Sequence, residues 1–524
     1  MRISLRRRVD AWVYLVPLAL ATAFYLPGMF FRFWLYDAGL YAAVSLRMAR
    51  TGEWWTPMQA NATYFNKPPL AFWIHALFVK VLGESDWVLR LPELLSALAC
   101  VALIVSIAKR LQGPRVALVT GVMLAASSEY FWRISRFRLD FMHTALMLAG
   151  VRMCVEGFVR GRVSCFGGVS SGWGKRAKWW IVAGGVPVGL ALLVKPMFGL
   201  VALVLAGVWM VLARRLDRRQ LSRGSKGAVG MTAPVFLPVL AAIGVALVVA
   251  APWHLSMWAI HGNAFAHRYF VHETTMRATG EMFGRDPWWK YLAYFLNGND
   301  SDKAKVFEVE AMAYWPILLC AAMAVLWWAM GKRLSARRST RGGLLAQVYT
   351  FGLFGMLCAF GDKKGWYLIP VIPGIAWVGA MWAVHVMPRW VMRVVWRASG
   401  VVAVAMLVAV PVFGWTFERS NARPLDTRAV REFILKHPEG EYWNASVWRY
   451  ENAPIYIRTG VWPKLIEDPN TGERWEPAQG SYVVYDKERN PKPDPVDEVV
   501  VDSPRFVMVR RVGTGPLPRE GTRQ

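Results

Sequence analysis

Apolar stretches long enough to cross a bilayer recur along the first 417 positions, and no other feature constrains the fold as tightly. A helix needs roughly 20 apolar residues to cross a hydrocarbon core of ~30 Å, and by that measure about eleven spans are legible. They lie near Ala11 to Trp34, Leu91 to Ala108, Val116 to Phe131, Leu139 to Phe158, Trp179 to Val194 and Met197 to Ala213. The rest lie near Met231 to Trp258, Ala311 to Met330, Leu344 to Phe360, Trp366 to Met387 and Ala398 to Phe417. With 55% hydrophobic and 14% aromatic residues, the chain reads as an α-helical polytopic membrane protein, neither disordered nor an ordinary soluble domain.

The net charge of +27 has a topological explanation. Short cytoplasmic loops collect Lys and Arg. Arg6 to Arg8, Lys109 to Arg115, Arg152 to Lys178, the run from Arg214, Lys332 to Arg341 and Arg389 to Arg397 all fall on one side when spans are counted in turn. This predicts the N-terminus inside and the C-terminus outside. Residues 418–524 hold 17 basic and 17 acidic residues, so the surplus belongs to the membrane part and nucleic-acid binding is not expected. The basic start of the first span resembles a signal peptide, but its length and its FFRFWLYDAG end predict a retained anchor. The five cysteines fall in predicted spans or one inner loop, so no disulfide or Cys-based zinc site is expected.

Two outer loops, 35–90 and 259–310, are long enough to be functional. In the first, YDAGLYAAVSLRMARTGEWW predicts a short helix lying on the membrane surface. LAFWIHALFVKVLG is apolar but too short to span, so a second interfacial or re-entrant helix is expected there. Pro68 and Pro69 suit the first turn of that helix and keep Lys67 extended at its entrance. From Glu418 the composition becomes that of a soluble domain. TRAVREFILKHPEG predicts a helix, and SYVVYD, EVVVD and RFVMVRRV predict strands. The expected organisation is therefore a membrane domain, 1–417, and a small extracytoplasmic α/β domain, 418–524.

Ionisable groups at the membrane are costly and are functional candidates by default. Asp37, Lys67, Asp140, Lys195 and the Asp362-Lys363-Lys364 cluster all fall at predicted outer helix ends. Each also has a purely structural reading. Asp37 can cap its helix, and Lys67 and Lys195 can snorkel to headgroups. Asp140 can pair with Arg136 or Arg138, and the two lysines at 363 and 364 can sit in a solvated turn. His75, His143, His254, His267 and His272 show no metal-ligand spacing. Asp300-Ser301-Asp302 is a weak D-x-D match on the outer face.

In order and spacing, LYDAGLYAAVSLRMARTGEWWTPM, YFNKPPLAFW, DWVLRLPELLSAL, RFRLDF, LVKPMFGLV, APWHLSMW with YFVHETTMR, and GDKKGWYLIPVIPGIAWVGAMW cover most of residues 30–387. In these stretches the chain resembles the GT-C glycosyltransferases, in particular the bacterial lipid A aminoarabinose transferases and the related protein O-mannosyltransferases. The resemblance implies a sugar moved from a polyprenyl-phosphate donor to a lipid, glycan or protein acceptor, on the outer face of a bacterial inner membrane. It implies Asp37 as base or acceptor-orienting group, Asp140 as second catalytic carboxylate, and Lys67 as the donor-phosphate grip. Lys195, Lys363 and Lys364 are expected to help hold that phosphate, and Tyr64, Asn66, Arg138 and His272 to line the substrate.

The chain departs from the family pattern at two positions. Ala38 stands where a second acid is common, and Asn66 where the aminoarabinose branch has an acid before the lysine. No metal and no other cofactor is therefore expected. The chemistry agrees: a phosphodiester-linked sugar has a good leaving group that needs cations, and the acceptor hydroxyl needs a carboxylate base. A single carboxylate acting from the opposite face inverts the anomeric carbon, whereas two nearby carboxylates allow a covalent route. A lipid-linked glycan transporter and an inactive relative are the alternative readings. A transporter would place its charges near the midplane and show a repeat, and neither is seen.

Overall fold

The computed structural model describes residues 2–30, 37–135, 137–166, 174–196, 198–222, 236–282, 284–291, 340–386, 427–445, 452–471, 473–487, 493–503, 505–513 and 517. The spans expected at Ala311–Met330 and Ala398–Phe417, and the Asp300–Asp302 motif, lie outside these residues. Among the described residues five helical segments are long and apolar enough to cross a membrane: Ala11–Phe30, Asp86–Gln112, Asp140–Gly161, Phe236–Thr279 and Arg341–Ala359. Leu70–Leu82, Pro114–Ala125 and Ile372–His385 are shorter apolar helices.

The described residues divide into two compact units, assembled from residues 1–29, 93–256 and 271–409, and from residues 30–92, 257–270 and 410–524. The first unit is helical. Helix α1 is Arg2–Tyr25, α2 is Asp37–Thr51, α3 is Leu70–Leu82 and α4 is Asp86–Gln112. The next five are α5 (Pro114–Ala125), α6 (Ser128–Ser135), α7 (Asp140–Phe166), α8 (Lys175–Ala183) and α9 (Gly185–Leu192). They are followed by α10 (Leu200–Ser222), α11 (Phe236–Ala266), α12 (Thr340–Ala359) and α13 (Ile372–Val386). Of these, α2 and α3 belong to the second unit. Helix α1 packs on α5, α7 on α8 and α9, and α10 on α12.

Some expected spans are broken rather than continuous. Val116–Phe131 is divided between α5 and α6, and Trp179–Val194 is interrupted at Gly184. The second break has a packing reason: a Cβ on Gly185 would lie 2.1 Å from the Ala242 carbonyl oxygen, so glycine alone lets the start of α9 approach α11. Small residues at such crossings are the usual way membrane helices come close. Past α11 the chain continues as a π-helix, His267–Met276, a wide turn type that is rare and concentrated at functional sites.

In the second unit, α2 corrects the expectation of a surface helix. Residues 38–46 are all buried, so no broad face is left for headgroups. Its small residues, Ala38, Gly39, Ala42 and Ala43, let neighbours close in on several sides, among them Phe72 of α3, whose ring lies 6.0 Å from that of Tyr41. The short strands β1 (Met58–Gln59) and β2 (Ala62–Thr63) pair antiparallel before the Asn66-Lys67 turn.

The expected C-terminal helix is α14 (Arg428–Lys436), and the expected strands are β5 (Tyr482–Asp486), β6 (Glu498–Asp502) and β7 (Phe506–Arg510); α15 (Asn452–Thr459), β3 (Tyr442–Asn444) and β4 (Lys464–Leu465), which the sequence did not suggest, join them. The sheet order is β4-β3-β5-β7-β6. Alternation places Tyr442, Val484, Phe506 and Met508 against Val430, Ile434 and Ile455 on the helix-covered face. Trp443, Val483, Tyr485, Val507 and Val509 form the core of the other face.

This sheet shares its unit with the first long loop. Asn61 donates to the Leu465 carbonyl (3.2 Å) and accepts from its N–H (2.7 Å). Asn470 donates to Thr63 at its main-chain and hydroxyl oxygens. Arg458 pairs with Asp86 at 2.7 Å, and the Arg50 guanidinium lies 4.9 Å from the Tyr456 ring.

Candidate active site

Asp140 is the first residue of α7, where a carboxylate faces the positive end of the helix dipole. The structure gives it a partner 55 positions away: Lys195, in the turn after α9, donates from its Nζ to Asp140 Oδ1. The side chains are 5% and 15% exposed, so both charges are largely withdrawn from solvent and each depends on the other. The same ammonium lies 5.4 Å from the centre of the Tyr367 ring. One turn into α7, buried His143 is hydrogen-bonded from Nδ1 to the Ala191 carbonyl at 3.1 Å, which ties α7 to the segment carrying Lys195. Lys195 is thus a partner for Asp140 that local spacing did not suggest; the Arg138 guanidinium stacks 4.1 Å from the Trp366 ring centre, and Arg136 lies outside the described residues.

Tyr367 connects this pair to a second charged group. Arg277 donates from Nη1 to Tyr367 Oη (3.2 Å) and Asp362 Oδ2 (3.3 Å), and from Nε to Glu273 Oε2 (3.0 Å). Asp362 and Glu273 are buried. His272 Nδ1 lies 3.5 Å from Glu273, and Lys364 lies 3.5 Å from Asp362. Lys363 is held differently. Its Nζ donates to the main-chain carbonyls of Asp286 and Phe360, and its N–H donates to Asp286 Oδ2 at 2.9 Å. That ammonium is engaged in holding the loop together. Burial lowers the Lys363 pKa, as do Arg285 and Lys290, although Asp286 opposes them.

The loop is closed by a backbone crossing. Gly361 donates to the Ala278 carbonyl, and Asp286 donates back to that of Gly361. A Cβ on Gly361 would stand 2.2 Å from the Gly280 nitrogen, and Gly280 itself has φ +86°. Only glycines allow the loop bearing Asp362 and Lys363 to lie against the end of the helix bearing Glu273 and Arg277.

Asp37, Tyr64, Asn66 and Lys67 belong to the second unit. Asp37 opens α2. Tyr64 is buried, its ring edge-on to Phe72. At the turn, Asn66 Oδ1 accepts from Arg268 Nε at 2.8 Å, and the Asn66 main-chain oxygen accepts from Lys67 Nζ at 2.9 Å. One neutral residue therefore anchors two cations. A guanidinium at that distance from the residue 66 oxygen does not fit a divalent cation there. Among the described residues no group of three or more His, Cys, Asp or Glu side chains is placed to hold a metal.

Glu273, Arg277, Trp366, Tyr367 and Arg268 are the residues that sequence reasoning did not single out. Glu273 and Arg277 did carry a signal, an acid and a base four apart, the spacing of neighbours on one helix face.

Residues 66–253 match the family described as dolichyl-phosphate-mannose-protein mannosyltransferase. The undecaprenyl phosphate-alpha-4-amino-4-deoxy-L-arabinose arabinosyl transferase 2 of Pseudomonas fluorescens is 27% identical over 52% of this chain and 45% of its own length. The corresponding transferase of Edwardsiella ictaluri is 26% identical over 54% and 45%. The chain thus spans about half the length of the curated relatives it matches. Among solved structures, ArnT from Cupriavidus metallidurans bound to undecaprenyl phosphate superposes with a TM-score of 0.68 at 18% identity, covering 97% of this chain and 99% of that one. The oligosaccharyltransferase AglB from Archaeoglobus fulgidus gives 0.51 at 10%, covering 90% and 69%.

The chain is a multi-pass helical membrane protein, and its fold is similar to that of ArnT from Cupriavidus metallidurans.

Proposed function

We propose that the protein is a glycosyltransferase that moves a sugar from a polyprenyl-phosphate donor, of the undecaprenyl kind its relatives are named for, to a lipid, glycan or protein acceptor. The reaction is placed on the outer face of a bacterial inner membrane, with the N-terminus cytoplasmic. The observation that supports this most is the Asp140–Lys195 pair, a largely buried carboxylate and ammonium at a helix entrance in a GT-C fold.

In this reading the acceptor oxygen attacks the anomeric carbon as the bond from that carbon to the phosphate oxygen breaks. The acceptor proton passes to a carboxylate, and the electron pair leaves on the polyprenyl phosphate. Asp37 is assigned as base. Asp140, oriented by Lys195, stabilises the positive charge that develops on the sugar. Lys67 grips the donor phosphate, and Arg268 adds a second cation anchored on the same residue. Lys364 supplies further positive charge, and Lys363 holds its loop. A single attack inverts the anomeric centre.

The test is transfer by the purified protein from a radiolabelled undecaprenyl-phosphate sugar. Wild-type protein is expected to release undecaprenyl phosphate and label the acceptor, with both activities lost in Asp37→Asn and Lys67→Ala. Full transfer by both variants would overturn the residue assignment. Absence of transfer by wild-type protein with lipid, glycan and peptide acceptors alike would overturn the activity.

A further inference from the structure

Helix α7 carries a second polar site far from the one at its start. Glu156 lies sixteen residues beyond Asp140, which at ~1.5 Å per residue is about 24 Å along the axis, most of a hydrocarbon core. Its side chain is 9% exposed, and three arginines converge on it. Arg110 of α4 donates from Nε to Oε2 at 3.1 Å and from Nη2 to Oε1 at 3.4 Å. Arg152 donates from Nη1 to Oε2 at 2.9 Å, while its Nε donates to Ser106 at 2.7 Å. Arg160 donates from Nε to Oε1 at 2.6 Å.

One carboxylate among three guanidiniums leaves this group with a net charge of +2. Its setting adds to the excess: residues 109–115 and 152–178 contain nine Lys and Arg and no acid besides Glu156. The positive-inside bias explains why basic residues are on this side. It does not explain why arginines from two helices are gathered onto one buried acid, with Arg110 and Arg160 still 38% and 45% exposed.

The surroundings are those of a lipid headgroup region. The Arg160 guanidinium lies 5.4 Å from the Trp180 ring of α8, and Lys109 lies 5.0 Å from the Tyr14 ring of α1. Trp12 and Trp179, on the same two helices, are 62% and 68% exposed. Aromatic rings of this kind settle at headgroup level, and Arg presents planar N–H pairs that match phosphate oxygens.

We propose that the Arg110, Arg152 and Arg160 cluster binds the phosphate of an anionic phospholipid in the leaflet at this end of the bundle, the cytoplasmic one by charge bias. Glu156 preorganises the guanidiniums, and the lipid phosphate supplies the second anion. The acyl chains lie against the exposed faces of α1 and α8.

The test uses the full chain in detergent. Phosphatidylglycerol, phosphatidylcholine and inorganic phosphate are each titrated, with bound lipid counted by native mass spectrometry and the melting temperature followed in parallel. Wild-type protein is expected to retain phosphatidylglycerol and to be stabilised by it, and not by the other two. The Arg110→Gln/Arg160→Gln variant keeps Arg152 as partner for Glu156 and is expected to bind phosphatidylglycerol about tenfold or more weakly. Lys175→Gln/Arg176→Gln, which removes the same charge from the first turn of α8, is expected to bind nearly as wild type does. Equal loss in both variants would reduce the effect to diffuse electrostatics and overturn the site. Equal protection by phosphatidylcholine or by inorganic phosphate would overturn the lipid assignment.

Discussion

Lys195 donates to the carboxylate of Asp140 from a turn 55 residues further along the chain, joining α7 to the end of α9 at the point where α7 begins. Removing either partner leaves the other charge buried alone, which is the costly way to break such a pair. Asp140→Asn is expected to lower kcat for sugar transfer by about 100-fold or more. Lys195→Ala is expected to lower it similarly, with Lys195→Arg recovering part of the loss. Single-turnover transfer from the labelled donor, alongside a melting curve for each variant, separates lost chemistry from lost fold.

The two cations anchored on Asn66 give a second expectation. Asn66→Asp puts a carboxylate where the amide oxygen accepts from Arg268 at 2.8 Å, and so neutralises charge meant for the donor phosphate. The donor KM is expected to rise about tenfold while kcat stays within about threefold, because uniform binding is lost and not transition-state stabilisation. Arg268→Gln moves KM in the same direction.

Gly361→Ala tests the backbone crossing. The added methyl meets main chain at Gly280, which has no rotamer by which to yield. The expected cost is about 1–3 kcal/mol of stability, seen as a lower melting temperature and as faster proteolysis between residues 277 and 290. A substitution of the same size at Gly355, where a Cβ meets nothing within 4 Å, is expected to change neither.

Asp286 gives a pH dependence. Burial alone would raise its pKa, but the hydrogen bonds from Lys290 and from the Lys363 N–H, with the charges of Lys290 and Lys364, outweigh burial and hold it below its ordinary value. A depressed folded pKa contributes stability that is present in full above the unfolded value, about 3.9, and is lost as pH falls through the folded value. Asp286→Asn is expected to flatten part of the acid limb of a melting-temperature profile below about pH 4 and to leave its slope between pH 5 and 8 unchanged. A second part of that limb belongs to Glu84, lowered in the same way by its hydrogen bond to Arg50.

Much of this was legible in the sequence, because lone charges stand out against apolar runs. Asp37, Lys67, Asp140 and Lys195 could be picked out by residue type and position alone. Their partners could not. Asp140 has Arg138 two residues before it, and local reasoning favours that neighbour, yet the chain returns Lys195 to it through tertiary packing. The lysine at 363 resembles its neighbour at 364 in sequence, and only the course of the backbone shows that its ammonium meets two carbonyls. Helix breaks such as the one at Gly184 are set by a crossing helix, which hydropathy does not see. The burial of α2 was missed for a related reason: its Ala and Gly positions read as neutral filler in a periodic pattern, but they are what allow contact on most sides.

The Asn61–Leu465 and Asn470–Thr63 hydrogen bonds have a consequence for biosynthesis. The turn that presents Asn66 and Lys67 is made early, but the strand and loop that brace its hairpin bond to it across 404 and 407 residues of chain. At about 5–20 residues per second, the ribosome finishes that brace tens of seconds after the turn has emerged. Until then the turn lacks the partners that fix its hairpin, so synthesis of residues 465–470 is itself a step in assembling the second unit.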